Sequence, residues 1–198
     1  MIKTIVFDIG GVLEKFEWET YLSKYFESST IEELTRATWK NPCWREFDVN
    51  NIPFEEIVKK MISSAPSLEK EINFVFEHLG EVISIQPYAI PWINELKSRG
   101  YKVYFLSNYF EYLMNANRDA ISFIPYTDGG VFSCDIHLAK PDPEIYRFLC
   151  KKYALDPSEC LFFDDRQENV EGAKTVGMNG IVFKDYNQAR TAAEAFLQ

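Results

Sequence analysis

The sequence predicts an α/β protein with a Rossmann-like, mostly parallel sheet, helices on both faces of that sheet and an all-helical insertion. Three observations carry this prediction. Short apolar runs alternate with helical patterns along most of the chain, and polar residues follow these runs at corresponding places. A long stretch after the first run shows helical periodicity instead of alternation.

The composition is that of an ordinary globular chain. Its 198 residues correspond to one domain, or to one domain with a small insertion. Hydrophobic residues make up 46% and charged residues 26%, which excludes a disordered or collagen-like chain. The formal net charge of −9 argues against nucleic acid or a membrane surface as a partner. An anionic substrate therefore needs a local site that attracts it.

Four apolar runs predict strands that are buried on both faces. They are Thr4–Phe7, Lys102–Leu106, Cys160–Phe163 and Gly180–Phe183. Because helical patterns lie between these runs, the strands are expected to be parallel.

Three helices are predicted in the same part of the chain: Tyr88–Arg99, Pro143–Tyr153 and Glu168–Val176. Gly100 and Gly177 follow the first and third of them as stop signals. Asp142 is expected to cap the second helix, with Pro143 at its first helical position.

The stretch from Trp18 to Ile85 differs from the rest because no strand pattern is found in it. Thr30 and Glu33 match a capping box, which predicts that a helix begins there. Helical periodicity continues through the segments Phe54–Met61 and Leu68–Leu79.

This insertion is too long for an ordinary strand-to-helix loop, so it is interpreted as a cap over the end of the sheet. The predicted division assigns residues 17–85 to a helical cap domain and residues 1–16 and 86–198 to the α/β core. The cap carries an aromatic cluster, of which one or two rings are expected to line a substrate pocket. Its members are Trp39, Trp44, Phe47 and Phe54.

Polar residues follow three predicted strands at the point where each ends. Asp8 follows the first, Ser107 and Asn108 the second, and Asp164 and Asp165 the third. The carboxyl ends of parallel strands meet at one edge, where open α/β sheets bind their ligands. These side chains are therefore expected to converge on one pocket beneath the insertion.

Asp8, Asp164 and Asp165 would place three carboxylates in this pocket, and their charges repel one another. A divalent cation removes the repulsion, and oxygen ligands without a nearby His or Cys favour a hard ion such as Mg²⁺. The alternative is that Asp8 or Asp165 only caps a following helix.

Two further features near the predicted strand ends fit an anion. Gly10 and Gly11 form a loop that can offer N–H groups to an anion and a carbonyl to a metal, although a plain glycine turn is the alternative. Lys140 lies just ahead of a predicted helix, where its ammonium can neutralise an anion, and a solvated surface lysine is the alternative. The sequence contains neither a P-loop nor a dinucleotide-binding glycine motif.

The remaining signals predict a cytoplasmic protein. The four cysteines form no C-x-x-C pair and are interpreted as reduced thiols. His78 and His137 are expected at the surface or in packing. The first apolar run is too short for a signal peptide, and no stretch approaches transmembrane length.

Taken in order, these motifs resemble those of the haloacid dehalogenase-like (HAD) hydrolase superfamily. They are Phe7–Leu13, Leu106–Asn108, Lys140–Pro141, and Asp164–Asp165 with Asn169. The resemblance covers essentially the whole chain, and the insertion resembles the helical C1 cap of that superfamily. The stretches Leu138–Tyr146 and Leu161–Ala173 are most similar to alpha-D-glucose-1-phosphate phosphatases and to the phosphatase domain of soluble epoxide hydrolase.

The resemblance implies a phosphatase that acts on a small phosphorylated metabolite. Asp8 would attack phosphorus and form an aspartyl-phosphate, which water then hydrolyses. Mg²⁺ would be held by the Asp8 carboxylate, the Gly10 carbonyl and Asp165, with Asp164 as a further ligand or as a partner of the ligands.

The resemblance also implies how the phosphate is bound. Ser107, the Asn108 backbone, Gly11 and Lys140 would hold the phosphoryl oxygens, and Lys140 would also neutralise the nucleophile. Asn169 stands where the superfamily often has aspartate, and it would orient the surroundings of the metal.

Position 10 departs from the superfamily pattern, because most of its phosphatases have a second aspartate there as general acid and base. A missing proton donor costs a factor of about 10²–10⁴ in rate. Three readings are open at Gly10. Water or another group takes over the role, the substrate has a leaving group that needs little protonation, or the protein binds phosphate without hydrolysing it.

Two rival functions remain as alternatives. A 2-haloacid dehalogenase needs no metal, and the pair Asp164 and Asp165 would stay unneutralised there. A phospho-acceptor signalling domain also places carboxylates and a lysine at a sheet edge, but it lacks a helical insertion and carries its acidic pair near the N-terminus. The sequence therefore favours an active phosphatase.

Overall fold

The structure is a computed structural model that describes residues 1–197. The strands of the described chain are β1 (Thr4–Phe7), β2 (Glu14–Phe16), β3 (Ile83–Ile85), β4 (Lys102–Ser107), β5 (Gly129–Phe132), β6 (Cys160–Asp164) and β7 (Asn179–Val182). Five of them form one parallel sheet in the order β5-β4-β1-β6-β7. The other two, β2 and β3, pair as an antiparallel ribbon. The predicted α/β fold with a mostly parallel sheet is confirmed.

The α-helices of the described chain are α1 (Trp18–Leu22), α2 (Ser28–Ala37), α3 (Trp44–Val49), α4 (Phe54–Ser64), α5 (Glu69–Glu77), α6 (Ala89–Ser98), α7 (Glu111–Ala116), α8 (Ser133–Ile136), α9 (Pro143–Tyr153), α10 (Gln167–Thr175) and α11 (Tyr186–Ala193). The three helices predicted around the sheet correspond to α6, α9 and α10, to within one residue at each end. None of the helices described here has the length and apolar character needed to cross a membrane.

The predicted ends of the three helices around the sheet are confirmed at both kinds of terminus. The Asp142 carboxylate accepts a hydrogen bond from the Glu144 N–H at 2.9 Å and so caps α9. Gly100 and Gly177 follow α6 and α10 with φ angles of 91° and 94°, a region that glycine enters without strain.

The sheet is covered on both faces, because successive apolar side chains of its strands point to opposite faces. Phe7 points to the face covered by α6, where its ring lies 4.7 Å from that of Trp92. Val6 belongs to the opposite cluster, in which the rings of Tyr146 and Phe162 lie 5.7 Å apart. This double burial holds β1, β4 and β6 rigidly side by side, and with them the residues at their carboxyl ends.

Between β2 and β3 the chain forms α1 to α5, the expected helical insertion. Its buried side chains Leu34, Met61 and Ile72 belong to the same hydrophobic cluster as Ile5 and Phe7 of the sheet. The insertion is therefore packed against the α/β core. The separation of residues 17–85 as a domain of its own stays a prediction, and residue 198 of the predicted core lies outside the described residues.

Two expectations about the insertion are wrong. Ile83–Ile85 form β3 where no strand was expected, and the segment pairs with β2 so that the ribbon closes the base of the insertion. Helix α2 begins at Ser28 rather than at Thr30, because the Glu27 carbonyl already accepts the Ile31 N–H at 3.0 Å and no side chain caps the helix.

Candidate active site

Asp8 directly follows the central strand β1 at the carboxyl edge of the sheet. Strands β4 and β6 flank β1, so the residues that follow them approach Asp8 from both sides. Asp8 is 6% exposed, and its Oδ1 accepts hydrogen bonds from the Ser107 hydroxyl at 2.8 Å and from the Ile9 N–H at 2.7 Å. The parallel topology thus brings the end of β4 onto the carboxylate that ends β1.

Lys140 is a buried ammonium between two carboxylates. Its Nζ lies 2.7 Å from Asp8 Oδ1 and 2.6 Å from Asp164 Oδ2. The Asn108 side chain fixes this lysine, because it accepts the Lys140 N–H at 2.8 Å and donates to the Lys140 carbonyl at 3.1 Å. Buried ion pairs offset their desolvation only with geometry of this quality. The Asn108 side chain therefore positions the ammonium, a role that sequence reasoning missed.

Asp164 and Asp165 follow one another but have different surroundings. Asp164 is fully buried and accepts hydrogen bonds from the Arg166 N–H at 2.9 Å and from Asn169 Nδ2 at 3.0 and 3.1 Å. Asp165 is exposed and lies against Gly11, where a Cβ atom would come within 2.7 Å of Asp165 Oδ2. The close approach of this carboxylate thus requires a glycine at position 11.

The site holds more negative than positive charge. Oxygens of Asp8, Asp164 and Asp165 lie within 4.8 Å of one another, whereas Lys140 supplies one positive charge. Burial raises the pKa of Asp8, with Lys140 opposing and Asp164 reinforcing the shift, and burial also raises the pKa of Asp165. Burial alone lowers the pKa of Lys140, but the two adjacent carboxylates outweigh it and raise that pKa, so the lysine is charged.

The residues present fit a hard divalent cation. Three carboxylates against one ammonium leave an excess of about two negative charges, which such an ion balances. The Oδ1 atom of Asn169 is buried beside Asp164 and has no hydrogen-bond partner within the described chain. An unsatisfied buried oxygen is costly, and it is the kind of acceptor that a hydrated cation satisfies.

A cavity of about 360 Å³ opens onto Asp8, with walls from both the sheet edge and the insertion. Its aromatic walls are Phe16, Trp39, Trp44, Tyr109 and Phe110. Trp39 and Trp44 are thus the members of the predicted aromatic cluster that face this cavity. Phe47 and Phe54 pack on each other with ring centroids 5.2 Å apart.

A larger depression of about 740 Å³ lies between α5, β3 and α7. His78 on its wall stacks on Phe74, with ring centroids 4.1 Å apart, which agrees with the expected packing role. Within residues 1–197, the carboxylate cluster suited to a metal is the one at Asp8. The smaller cavity is therefore the candidate active site.

Glu14 is a cavity residue that the sequence analysis missed. It is 1% exposed, and its Oε2 accepts a hydrogen bond from the Tyr109 hydroxyl at 2.7 Å. Burial raises the pKa of Glu14 to about 8, against the opposing effect of that hydrogen bond. The signal in the sequence that could have identified Glu14 is its position directly after the apolar pair Val12 and Leu13.

Asp48 is the second missed carboxyl group, and it comes from α3 of the insertion. Its Oδ2 lies 3.4 Å from Asn108 Nδ2. Burial raises the pKa of Asp48 to about 6, although Lys140 and Arg166 act in the opposite direction. Nothing in the helical pattern of this segment distinguishes Asp48 from a surface aspartate.

Comparison with known protein families agrees with the motifs. The family profile described as haloacid dehalogenase-like hydrolase matches residues 2–177. The chain belongs to this hydrolase family. The resemblance stated from the sequence motifs is thereby confirmed.

Individual family members are similar over nearly their full length. A phosphatase of Mycobacterium tuberculosis is 28% identical over 205 residues, which cover 96% of this chain and 90% of the relative. D-ribitol-5-phosphate phosphatase of Bacteroides thetaiotaomicron is 26% identical, with 89% of each chain covered. A solved HAD family enzyme of the same bacterium, in complex with magnesium and inorganic phosphate, has a TM-score of 0.71 at 21% identity. The superposition covers 96% of this chain and 99% of the chain of that enzyme, and this similarity shows that the two share a fold.

Proposed function

We propose that this hydrolase is a magnesium-dependent phosphatase that acts on a small phosphorylated metabolite such as a sugar phosphate. The observation that carries the proposal is the Asp8 carboxylate at the sheet edge, held by Ser107 and Lys140 beside an acidic cluster. Two full-length relatives named as phosphatases support it, one of them named for D-ribitol-5-phosphate.

In the proposed mechanism, Asp8 attacks phosphorus and water then hydrolyses the aspartyl-phosphate. The Ile9 N–H, the Ser107 hydroxyl and the Lys140 ammonium all donate to Asp8 Oδ1, so they hold the carboxylate in one orientation. Ser107, Lys140, Gly11 and the Asn108 backbone are proposed to bind the phosphoryl oxygens. Donors that meet negative charge as it develops are the groups that lower the barrier most.

The Asp8 carboxylate, the Gly10 carbonyl and Asp165 are the proposed ligands of Mg²⁺. When bound, the ion would stabilise negative charge on the phosphoryl oxygens. Asp164 already accepts hydrogen bonds from Lys140 and Asn169, so its proposed role is to position these groups, with direct ligation as the alternative. Asn169 would orient the carboxylates around the ion.

Two alternatives follow from specific residues. Gly10 leaves the usual proton donor absent, which favours a protein that binds phosphate without hydrolysing it. A 2-haloacid dehalogenase would need Asp8 to attack carbon, and Asp164 and Asp165 argue against it because that chemistry leaves them without a cation.

Phosphate release from sugar, acyl and aryl phosphates, with Mg²⁺ and with EDTA, tests the proposal. We expect release that requires Mg²⁺ and that falls to background in Asp8→Asn, because the amide cannot attack phosphorus. Asp119 is an exposed aspartate that does not line the Asp8 cavity, so Asp119→Asn is the matched control and should retain release.

The other outcomes separate the alternatives. Persistent release by Asp8→Asn would remove Asp8 as the nucleophile, and release in EDTA would remove the metal. Phosphate binding without release from any ester would support the binding protein, and halide release from a 2-haloacid would support the dehalogenase.

A further inference from the structure

Position 10 has room for a side chain that this chain does not supply. A Cβ atom at Gly10 would meet nothing within 4 Å, and the residue lines the cavity above Asp8. In an in-line displacement the leaving group departs on the side opposite the attacking Asp8 oxygen. A proton donor must therefore come from another wall of the cavity, on the side covered by the insertion.

Asp48 is an ionisable group that the insertion places on that wall. Its carboxylate lies 3.4 Å from the Asn108 amide nitrogen, and the same nitrogen donates to the Lys140 carbonyl at 3.1 Å. Within residues 1–197, no Lys or Arg nitrogen lies within 4.0 Å of the Asp48 carboxylate. Asp48 therefore stands beside the proposed phosphate-binding residues without being held in an ion pair.

We propose that Asp48 is the proton donor to the leaving group, in place of the acid missing at position 10. The inference rests on the proposed phosphatase function and deepens it.

In the first step the bond between phosphorus and the Asp8 oxygen forms, the bond to the ester oxygen breaks, and the Asp48 proton passes to that oxygen. In the second step the Asp48 carboxylate takes a proton from water, the water oxygen forms a bond to phosphorus, and the bond between phosphorus and Asp8 breaks to release phosphate. Asp48 ends the cycle protonated.

The surroundings of Asp48 are consistent with this role. Burial raises its pKa to about 6, with the cations of Lys140, Arg166 and Arg45 opposing the shift. A bound phosphate ester carries about two negative charges and would raise the pKa further, so the carboxyl group is protonated when it is needed. On the other side of α3, His137 binds the Val49 carbonyl at 2.8 Å, so its Nδ1 is engaged there.

Glu14 is the rival donor because it lines the same cavity and burial raises its pKa to about 8. Its geometry is less suitable. Glu14 is 1% exposed, it belongs to β2 rather than to the helical insertion, and its carboxyl group is engaged by the Tyr109 hydroxyl. The Glu14→Gln variant therefore serves as the matched control for Asp48→Asn.

The test compares two esters that differ in their need for a proton. 4-Nitrophenyl phosphate releases a stable phenolate, whereas glycerol phosphate releases an alkoxide unless it is protonated. We expect Asp48→Asn to lower kcat/KM for glycerol phosphate by about 10²-fold or more, and kcat/KM for 4-nitrophenyl phosphate by less than about tenfold. Glu14→Gln should keep the wild-type ratio of the two values.

The pH dependence of that ratio is the second readout. The 4-nitrophenyl ester loses its second proton at a lower pH than the glycerol ester, so each kcat/KM is expressed per concentration of the dianion before the ratio is taken. In the wild type, the ratio of glycerol phosphate to 4-nitrophenyl phosphate turnover should fall as the pH rises through about 6 and above, because Asp48 loses its proton. In Asp48→Asn the ratio should be flat.

Equal losses for both esters in Asp48→Asn would overturn the inference and assign Asp48 to positioning the substrate. A change of ratio in Glu14→Gln alone would transfer the role to Glu14. If the wild type releases phosphate from neither ester, the proposed function itself fails, and Asp48 loses its role with it.

Discussion

The residues of the candidate site show how a buried charge is kept in place. Lys140 is 3% exposed and contacts Asp8 and Asp164, each of which accepts further hydrogen bonds from the backbone. Asp8 and Asp164 could be predicted to converge because each stands at the end of an apolar run, whereas the role expected of Lys140 followed from the family resemblance. Asp48 could not be predicted, because the cavity that it faces depends on how α3 packs and not on its neighbours in sequence, and Glu14 had only its place after Val12 and Leu13 as a signal.

Gly10 and Gly11 provide a matched pair for the first prediction. Gly11 has a φ of 73°, and a Cβ there would displace Asp165, whereas a Cβ at Gly10 meets nothing within 4 Å. We expect Gly11→Ala to lower the free energy of unfolding by about 1–2 kcal/mol or more, and Gly10→Ala to change it by less than about 0.5 kcal/mol.

Urea unfolding in EDTA measures both glycine variants without any contribution from a metal. Equal losses in the two variants would show that the loop moves to accommodate a side chain at either position. The close approach of Gly11 to Asp165 would then not be required by the fold.

At the scale of single elements, the ends of α6, α9 and α10 and the apolar strands were predictable, whereas β3, β5 and the start of α2 were not. The central strands β1, β4 and β6 were found from their apolar runs, and α9 from Asp142 and Pro143 at its start. The three-residue strand β3 and the glycine-containing strand β5 carry too few side chains for a period-two pattern. Their pairing depends on neighbouring strands, which local sequence does not encode.

The capping box at Thr30 failed for a related reason. Its residue types suit a helix start, but Ser28 and Ser29 are already helical in α2. Phe26 packs edge-on against Phe74 of α5, with ring centroids 5.3 Å apart, just before this helix begins. A cap contributes only about 1 kcal/mol, which is too little to fix the start of a helix by itself.

The N-cap of α9 gives a prediction at this scale. Asp142 follows the loop of Lys140 and caps the helix through the Glu144 N–H. We expect Asp142→Ala to lower the free energy of unfolding by about 1 kcal/mol, measured by urea unfolding. The control is Glu144→Ala in the same helical turn, which removes an exposed pair with Arg147 and should cost less than about 0.5 kcal/mol. If Asp142→Ala costs no more than the control, the cap does not stabilise α9.

For the whole molecule, the central feature is that two separate parts of the chain line one cavity. The sheet edge contributes Asp8 and Lys140, and the insertion contributes Trp39, Trp44 and Asp48. Because both parts share one hydrophobic cluster, carboxyl groups are buried where they meet. The consequence is a stability that depends on pH.

Metal-free protein should lose stability as the pH rises from about 5 to above 8. The pKa of Glu14 lies near 8 in the folded protein instead of 4.5, so the folded state binds more protons than the unfolded state between these values. The stabilisation that comes from the protonated Glu14 carboxyl group is fully present below pH 4.5, and it is lost as the pH rises from there through about 8. Asp48, with a raised pKa of about 6, acts in the same direction.

Urea unfolding in EDTA across this pH range checks the sign. Glu14→Gln cannot ionise, so its free energy of unfolding should fall less steeply with pH than that of the wild type. A wild-type stability that rises over the same range would show that Glu14 is ionised in the folded protein. An identical slope in the variant would show that other groups cause the loss.

The α/β class, the central strands and the strand-end residues Asp8, Ser107 and Asp164 were readable along the chain. Each depends on local periodicity, or on a polar residue at a strand end, and the parallel topology then brings such ends together. The cavity walls depended on how the helical insertion packs. Hydrophobic burial is non-directional. The apolar faces of α1 to α5 therefore predict that these faces are buried, but they do not predict which cavity the other side chains of these helices enter. The positions of Asp48 beside Asn108 and of Glu14 against Tyr109 are therefore products of packing across the whole molecule.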